Sequence, residues 1–166
     1  MPSLQLNIST LAKETVSECI EKKVTFGTAE SCTGGLISAS VTDVPGASAV
    51  FFGGVVSYDN SVKAGVLGVK NETLCAHGAV SEETAGEMSL GARRLLGVDY
   101  AVSVTGIAGP GGGTPSKPVG LVYVSVASEN GIIVTENHFS GDREAVRLQT
   151  VEKALALLLE AVRGHR

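Results

Sequence analysis

Short β-prone segments alternate with helical patterns along the chain, and this alternation constrains the fold more than any other feature. The predicted strands cover residues 24–29, 51–58, 99–105, 119–127 and 132–139. Helical periodicity covers residues 9–21, 33–41, 60–67, 71–77 and 81–96 and resumes at Asp142. Helices interleaved with strands cover both faces of a sheet, so the pattern predicts an α/β fold with three layers, α/β/α.

The sheet is expected to be mixed and mostly parallel, with about five strands. Asn130-Gly131 is a strong hairpin signal, so it should make the last two strands antiparallel. Both faces of segment 119–127 are apolar, which predicts a central strand covered on both sides. No linker or internal repeat interrupts the pattern, so residues 1–166 are interpreted as a single domain.

Charge and hydropathy exclude two classes of partner. Charged residues form 18% of the 166-residue chain, the formal net charge is -4, and runs of Lys or Arg never exceed two. Binding to nucleic-acid phosphates is therefore not expected. Apolar stretches stay well short of the roughly 18 residues that cross a bilayer, so no membrane association is expected.

The cysteines favour a reducing compartment. Cys19, Cys32 and Cys75 are odd in number and show no CxxC spacing, which argues against a disulfide framework and a zinc ribbon. We therefore expect a cytoplasmic protein. Without a metal-binding signature such as HExxH, the chemistry is expected to need neither metal nor cofactor.

The first candidate site is segment 28–35, TAESCTGG, where the first strand should end and a helix begin. A serine on such a turn exposes its hydroxyl beside backbone N–H groups that could stabilise an oxyanion. Ser31 is the candidate nucleophile and Cys32 a rival, although the GxSxG pattern of hydrolase elbows is absent. A plain helix cap rich in Ser, Thr and Gly is the structural alternative.

A serine nucleophile needs a base, and the histidines do not supply an obvious one. His77, His138 and His165 lie in no pattern with an acid and are interpreted as surface or cap residues. Lys63, at the next strand end, is the candidate, because a desolvated lysine has a depressed pKa. Tyr58 could hydrogen-bond this lysine or relay a proton. An exposed helical lysine beside a strand-end aromatic residue is the alternative.

Two further segments could line a ligand pocket. Thr105 is followed by a glycine-rich loop, residues 106–113, whose backbone could approach a small ligand closely. Arg143 and Arg147 share one helical face near a helix start, an arrangement that suits phosphate. A mobile connector and a solvated helix face are the respective alternatives. We assign no function to residues 114–116.

Taken in order, these segments resemble the C-terminal domain of the competence-damage-inducible protein CinA, a family that includes stand-alone nicotinamide mononucleotide (NMN) deamidases. The resemblance spans about residues 9 to 163. It is carried by TAESCTGG (28–35), VSYDNSVK (56–63), HGAVSEETA (77–85), SVTGIAGPGGG (103–113), KPVGLVYV (117–124) and GDREAVR (141–147). Larger members carry an additional N-terminal domain that this chain is expected to lack.

The resemblance implies an amidohydrolase that converts the NMN carboxamide to the acid and ammonia in pyridine nucleotide salvage. It implies a serine nucleophile with a lysine base, carried over to Ser31 and Lys63, with Tyr58 beside them. The substrate-binding set that we predict with it comprises Glu30, Cys32, Thr33, Gly34, Gly35, Thr105, Gly106, Gly109, Arg143 and Arg147.

Two other interpretations stay open at this point. One is a non-catalytic pyridine-nucleotide-binding module on the same fold, and the other is a competence-associated regulatory module. The presence of Ser31, Tyr58 and Lys63 together favours the enzyme. The partner is expected to be a pyridine mononucleotide, and a homodimer is the expected assembly because soluble enzymes commonly form one.

Overall fold

The computed structural model describes residues 2–164; Met1, His165 and Arg166, which the predicted domain includes, lie outside it. The strands are β1 Phe26–Glu30, β2 Phe51–Val56, β3 Tyr100–Gly106, β4 Leu121–Ser128 and β5 Gly131–His138. The helices are α1 Pro2–Lys22, α2 Leu36–Thr42, α3 Asn60–Gly65, α4 Asn71–His77, α5 Glu82–Leu96 and α6 Arg143–Arg163.

The five strands form one mixed sheet in the order β2-β1-β3-β4-β5. Strand β1 pairs in parallel with β2 and β3, whereas β4 pairs antiparallel with both β3 and β5. Strand β4 therefore runs against the other four. The predicted mixed, mostly parallel sheet is confirmed, and the Asn130-Gly131 turn does join an antiparallel pair.

Helices cover both faces of the sheet, which confirms the predicted three layers. Helices α1, α2 and α6 contribute to one apolar core, which includes Phe26, Val102 and Leu155. Helix α5 contributes Met88 and Ala92 to a second core against β1 and β3. Strand β4 contacts both α5 and α6, so it is covered on both faces as expected and lies between β3 and β5.

Two helices begin elsewhere than the pattern suggested. Helix α1 starts at Pro2 rather than near residue 9, because Leu4 and Ile8 pack on the core and extend the apolar stripe backward. Helix α2 starts at Leu36 rather than Thr33, because Gly34 and Gly35 both have positive φ, 62° and 101°, and form a turn.

The helices of residues 2–164 are all too short or too polar to cross a membrane. The strand order has a direct consequence for function. The chain leaves β1 toward β2 on one side and later returns to β3 on the other, so the carboxyl ends of these three parallel strands meet. Ligands of open α/β sheets bind in the crevice at such a switch point.

Candidate active site

Three chain segments converge at this crevice. Ser31 follows β1, Lys63 lies on the helix after β2, and Thr105 lies next to the last residue of β3. Backbone hydrogen bonds join the segments: the Ser31 N–H donates to the Val104 carbonyl at 3.1 Å, and the Ser57 N–H donates to the Glu30 carbonyl at 2.8 Å. They surround a cavity of about 210 Å³ lined by Ser31, Cys32, Tyr58, Lys63, Ala79, Val80, Thr105, Gly106, Ala108 and Arg143.

The Lys63 amine is held against the Ser31 hydroxyl. The Nζ–Oγ distance is 3.1 Å, and the two residues are only 1% and 8% exposed. The amine also bonds the backbone carbonyls of Ser57 at 2.7 Å and Tyr58 at 3.1 Å. Asp59 caps α3 through the Ser61 N–H, and this cap fixes the helix that carries Lys63.

Burial shifts the pKa values of Lys63, the candidate base, and of Cys32, the rival nucleophile. Desolvation lowers the pKa of Lys63 below its ordinary value, and the nearby Asp59 carboxylate offsets part of this change. Desolvation raises the pKa of the Cys32 thiol to about 11. The lysine is thus biased toward the neutral amine that a base requires, whereas Cys32 is biased toward the inert thiol.

Glu30, predicted as a substrate-binding residue, does not line the cavity. Its carboxylate is fully buried on the other side of the turn, where it accepts only local donors. Those donors are the hydroxyls of Thr33 at 2.6 Å, Ser38 at 2.8 Å and Thr28 at 3.5 Å, and the N–H groups of Gly35, Ile37 and Ser38. The N–H groups that begin α2 therefore bind an internal carboxylate, so they are not available to a ligand.

The structure also separates the two arginines. Arg147 does not line the cavity; it donates to the Cys32 carbonyl at 3.1 Å and the Thr33 carbonyl at 2.8 Å, and so holds the turn after Ser31. Arg143 lines the cavity and donates to the Gly109 carbonyl at 2.8 Å. The arginine that lines the cavity is thus the one nearer the start of α6.

Tyr58 lies at the cavity with its hydroxyl turned to Arg143, which donates to it at 3.2 Å. Lys63 contacts the backbone carbonyl of Tyr58, so the predicted hydrogen bond between the hydroxyl and the amine is not formed. The Tyr58 side chain is 61% exposed, at the mouth of the cavity. Of the predicted glycines, Gly106 lines the cavity, whereas Gly34, Gly35 and Gly109 do not, nor does Thr33.

One wall of the site consists of residues that were not predicted as site residues. Residues 78–80, between α4 and α5, bring Ala79 and Val80 to the cavity, and the Thr105 hydroxyl donates to the Ala79 carbonyl at 2.7 Å. These residues carry no reactive side chain; their segment was noted only within the motif of residues 77–85 that carries the family resemblance. Ala108 lies in the loop of residues 106–113 that was predicted to approach a ligand, but it was not singled out.

Other features of the described chain offer no comparable site. A larger cleft, about 330 Å³, lies near the opposite ends of the strands, where Lys22 and Arg93 already donate to backbone carbonyls. His77 and His138 are exposed and pair with Glu83 and Glu136. Within residues 2–164, no group of three or more His, Cys, Asp or Glu side chains could hold a metal ion.

Comparison with known proteins shows the family. The model of the CinA C-terminal domain matches residues 8–162, and the chain belongs to this family. A CinA-like protein of Leptospira borgpetersenii serovar Hardjo-bovis (strain L550) is 56% identical over 145 residues, covering 87% of this chain and 35% of that protein. The chain thus spans about a third of the length of the curated relatives that it matches.

Solved structures show the same fold over nearly the whole chain. The competence/damage inducible protein CihA from Agrobacterium tumefaciens is 43% identical, with a TM-score of 0.91 over 95% of this chain and 96% of its own. The competence damage-inducible protein A (ComA) from Klebsiella pneumoniae subsp. pneumoniae MGH 78578 is 36% identical, with a TM-score of 0.92 over 96% and 99%. The resemblance noted in the sequence is therefore correct at the level of family and fold.

Proposed function

We propose that this domain hydrolyses the carboxamide of nicotinamide mononucleotide to the carboxylate and ammonia, with Ser31 as nucleophile and Lys63 as general base. One observation carries the proposal: a buried lysine amine lies 3.1 Å from a nearly buried serine hydroxyl in a cavity at the switch point of the sheet. Membership of the CinA family and the motif resemblance support the choice of substrate.

The hydrogen-bond partners of Lys63 suit a neutral amine. A neutral amine has two N–H bonds and one lone pair. As an ammonium, Lys63 donates to the Ser31 hydroxyl oxygen and to the carbonyls of Ser57 and Tyr58. Once neutral, it can keep its two N–H bonds to the carbonyls and turn its lone pair to the Ser31 O–H. The same amine can therefore take the proton as the Ser31 oxygen attacks the amide carbon.

The oxyanion of the tetrahedral intermediate needs donors close to Ser31. The Gly34 N–H is bound to the Ser31 carbonyl, and the Gly35 N–H is bound to Glu30. Among the residues that the structure describes, the N–H groups of Cys32 and Thr33 donate to no other residue. Of these two residues only Cys32 lines the cavity, so we assign the oxyanion to the Cys32 N–H.

The charge of the cavity favours an anionic substrate. Its lining carries the Arg143 guanidinium, which stays charged when Lys63 is neutral, and no carboxylate, although the whole chain has a net charge of -4. Arg143 is the group we assign to the substrate phosphate, because a guanidinium binds phosphate oxygens through paired N–H donors. Arg147 is not assigned this role, because it does not line the cavity.

The reaction proceeds in two balanced steps. The Ser31 oxygen adds to the amide carbon, and the C–N bond breaks as protonated Lys63 returns its proton to the leaving nitrogen, which departs as ammonia. Lys63 then takes a proton from water as the water oxygen adds to the acyl carbon. The ester bond to Ser31 breaks as Lys63 returns that proton to the Ser31 oxygen, which gives nicotinate mononucleotide and the free enzyme. Neither step requires an oxidant, a reductant or a metal.

A direct test compares wild-type protein with the Ser31→Ala and Lys63→Met variants in an assay of ammonia release from NMN. We expect kcat to fall by at least about a thousandfold in both, as for other members of a nucleophile–base unit. Circular dichroism should show that both variants fold. Turnover like the wild type in Ser31→Ala would end the serine proposal, and wild-type protein without turnover would favour the binding module.

A further inference from the structure

We infer that Lys117 is a positioning residue that holds the wall at residues 77–80 against the substrate cavity; this inference rests on the proposed function. Its side chain reaches the wall from the loop of residues 107–120, which joins β3 to β4. The ammonium donates to the carbonyls of His77 and, at 2.7 Å, of Val80. Val80 lines the cavity, so Lys117 anchors a cavity wall without lining the cavity itself.

Among the described residues, every other hydrogen bond to the wall comes from its flanking helices or from β3. Ser81 and Thr84 at the start of α5 donate to the Gly78 carbonyl from behind, and Thr105 donates to the Ala79 carbonyl from β3. Lys117 supplies the remaining link, from the opposite loop. Since that loop also carries Ala108, the lysine joins two walls of one cavity.

The backbone is shaped to receive this side chain. Gly78 has a φ of 79°, and a Cβ at this position would lie 3.2 Å from the Lys117 amine. On the other side, a closed turn presents the lysine: the Thr114 N–H donates to the Lys117 carbonyl at 2.8 Å, and the Lys117 N–H donates to the Thr114 hydroxyl at 3.0 Å. Residues 114–116, which had no predicted function, thus serve to fix Lys117.

Lys117 has no competing role among the described residues. It is half-buried and forms no ion pair with residues 2–164. A carbonyl pair bound by an ammonium is a strong, charge-assisted contact. Removing the ammonium should therefore release the wall and leave Ser31 and Lys63 in place.

The test measures wall motion and kinetics in the same variants. Lys117→Met is compared with Lys13→Met, which removes the same charge from an exposed site on α1. Hydrogen exchange of the backbone amides of residues 77–81 should rise about tenfold or more in Lys117→Met only. With NMN, KM should rise about tenfold while kcat stays within about threefold and its pH profile is unchanged.

A second variant restores the ammonium chemically. It therefore tests the inference even if Lys117→Met disturbs the fold. Lys117→Cys is made with Cys75→Ser, so that aminoethylation rebuilds a lysine-like side chain at position 117 only. Cys19 and Cys32 are buried, with pKa values raised to about 12 and 11, and so react poorly. Aminoethylation should return both the exchange rate and KM to within about threefold of the wild-type values.

Three results would overturn the inference. They are unchanged exchange in Lys117→Met, faster exchange with an unchanged KM, and a fall in kcat with KM constant. The proposed function can fail separately: if wild-type protein does not hydrolyse NMN, the exchange rates and their recovery on aminoethylation still decide whether Lys117 holds the wall.

Discussion

The amine of Lys63 lies 3.1 Å from the hydroxyl oxygen of Ser31, although 32 positions separate the two residues in the chain. The pairing of β1 with β2 explains the contact, because Glu30 pairs with Val56 in the register and the two strands end together. The chain then needs only a short turn after each strand to bring the side chains into one cavity. This contact makes the acid–base state of Lys63 the first property to measure.

The pH profile of kcat/KM should report a base with a lowered pKa. Because burial disfavours the ammonium, the fraction of neutral Lys63 rises with pH through a pKa below the ordinary lysine value of about 10.4. Asp59→Asn keeps a capping side chain and removes a charge that raises this pKa, so the profile should move to lower pH. A profile that does not move, or moves upward, would contradict the assignment of Lys63 as base.

Replacement of Glu30 should lower the stability of the fold rather than remove a contact with substrate. Every group around this carboxylate is a donor, and in Glu30→Gln the amide nitrogen would face one of the donor sets. We expect the free energy of unfolding to fall by about 3 kcal/mol, as for a buried charged group that loses its partners. Urea denaturation measures this loss. Glu21→Gln, at an exposed site, is the matched control and should be neutral.

The two arginines should give opposite signatures. Arg143→Met removes a cavity group, so KM for NMN should rise about tenfold or more with little change in thermal stability. Arg147→Met leaves two carbonyls of the turn without their donor, so Tm and kcat should both fall. Steady-state kinetics and calorimetry on the pair check this split. If KM rises more in Arg147→Met than in Arg143→Met, the phosphate would have to be assigned to Arg147 instead.

The thiol beside the nucleophile should be dispensable. Cys32 is 6% exposed and its pKa is raised to about 11, so at pH 8 only about one thiol in a thousand is ionised. Cys32→Ala should retain kcat within about threefold, and iodoacetamide should modify the exposed Cys75 first without loss of activity. Inactivation that tracks modification of Cys32 would instead make it a rival nucleophile again.

Much of the fold was predictable because its signals are local. Asn130-Gly131 forms its hairpin, and Ser81 and Asp142 cap their helices, through contacts within a few residues. Periodicity likewise separates helix from strand before any long-range contact forms. The limits of α1 and α2 were less accurate, since packing on the core extended one and two glycines with positive φ delayed the other.

The directions of the side chains at the site were harder to predict from the sequence. Neighbours in the chain can have unrelated roles where a strand ends in a tight turn. Glu30 ends β1 with its carboxylate turned inward to bind the start of α2, whereas Ser31 begins the turn with its hydroxyl at the cavity. Arg143 and Arg147 share one face of α6 but lie one turn apart along it, so Arg143 contacts Gly109 and Arg147 contacts the turn after Ser31.

The sequence by itself determined the alternation of strands and helices, the turns and caps, and the segments that carry reactive side chains. Only the tertiary structure decided that Lys63 meets Ser31, that Glu30 is internal, and that residues 77–80 form a wall tied to Lys117. The physical reason is that strand order and register bring distant segments together, whereas the local signals act over only a few residues.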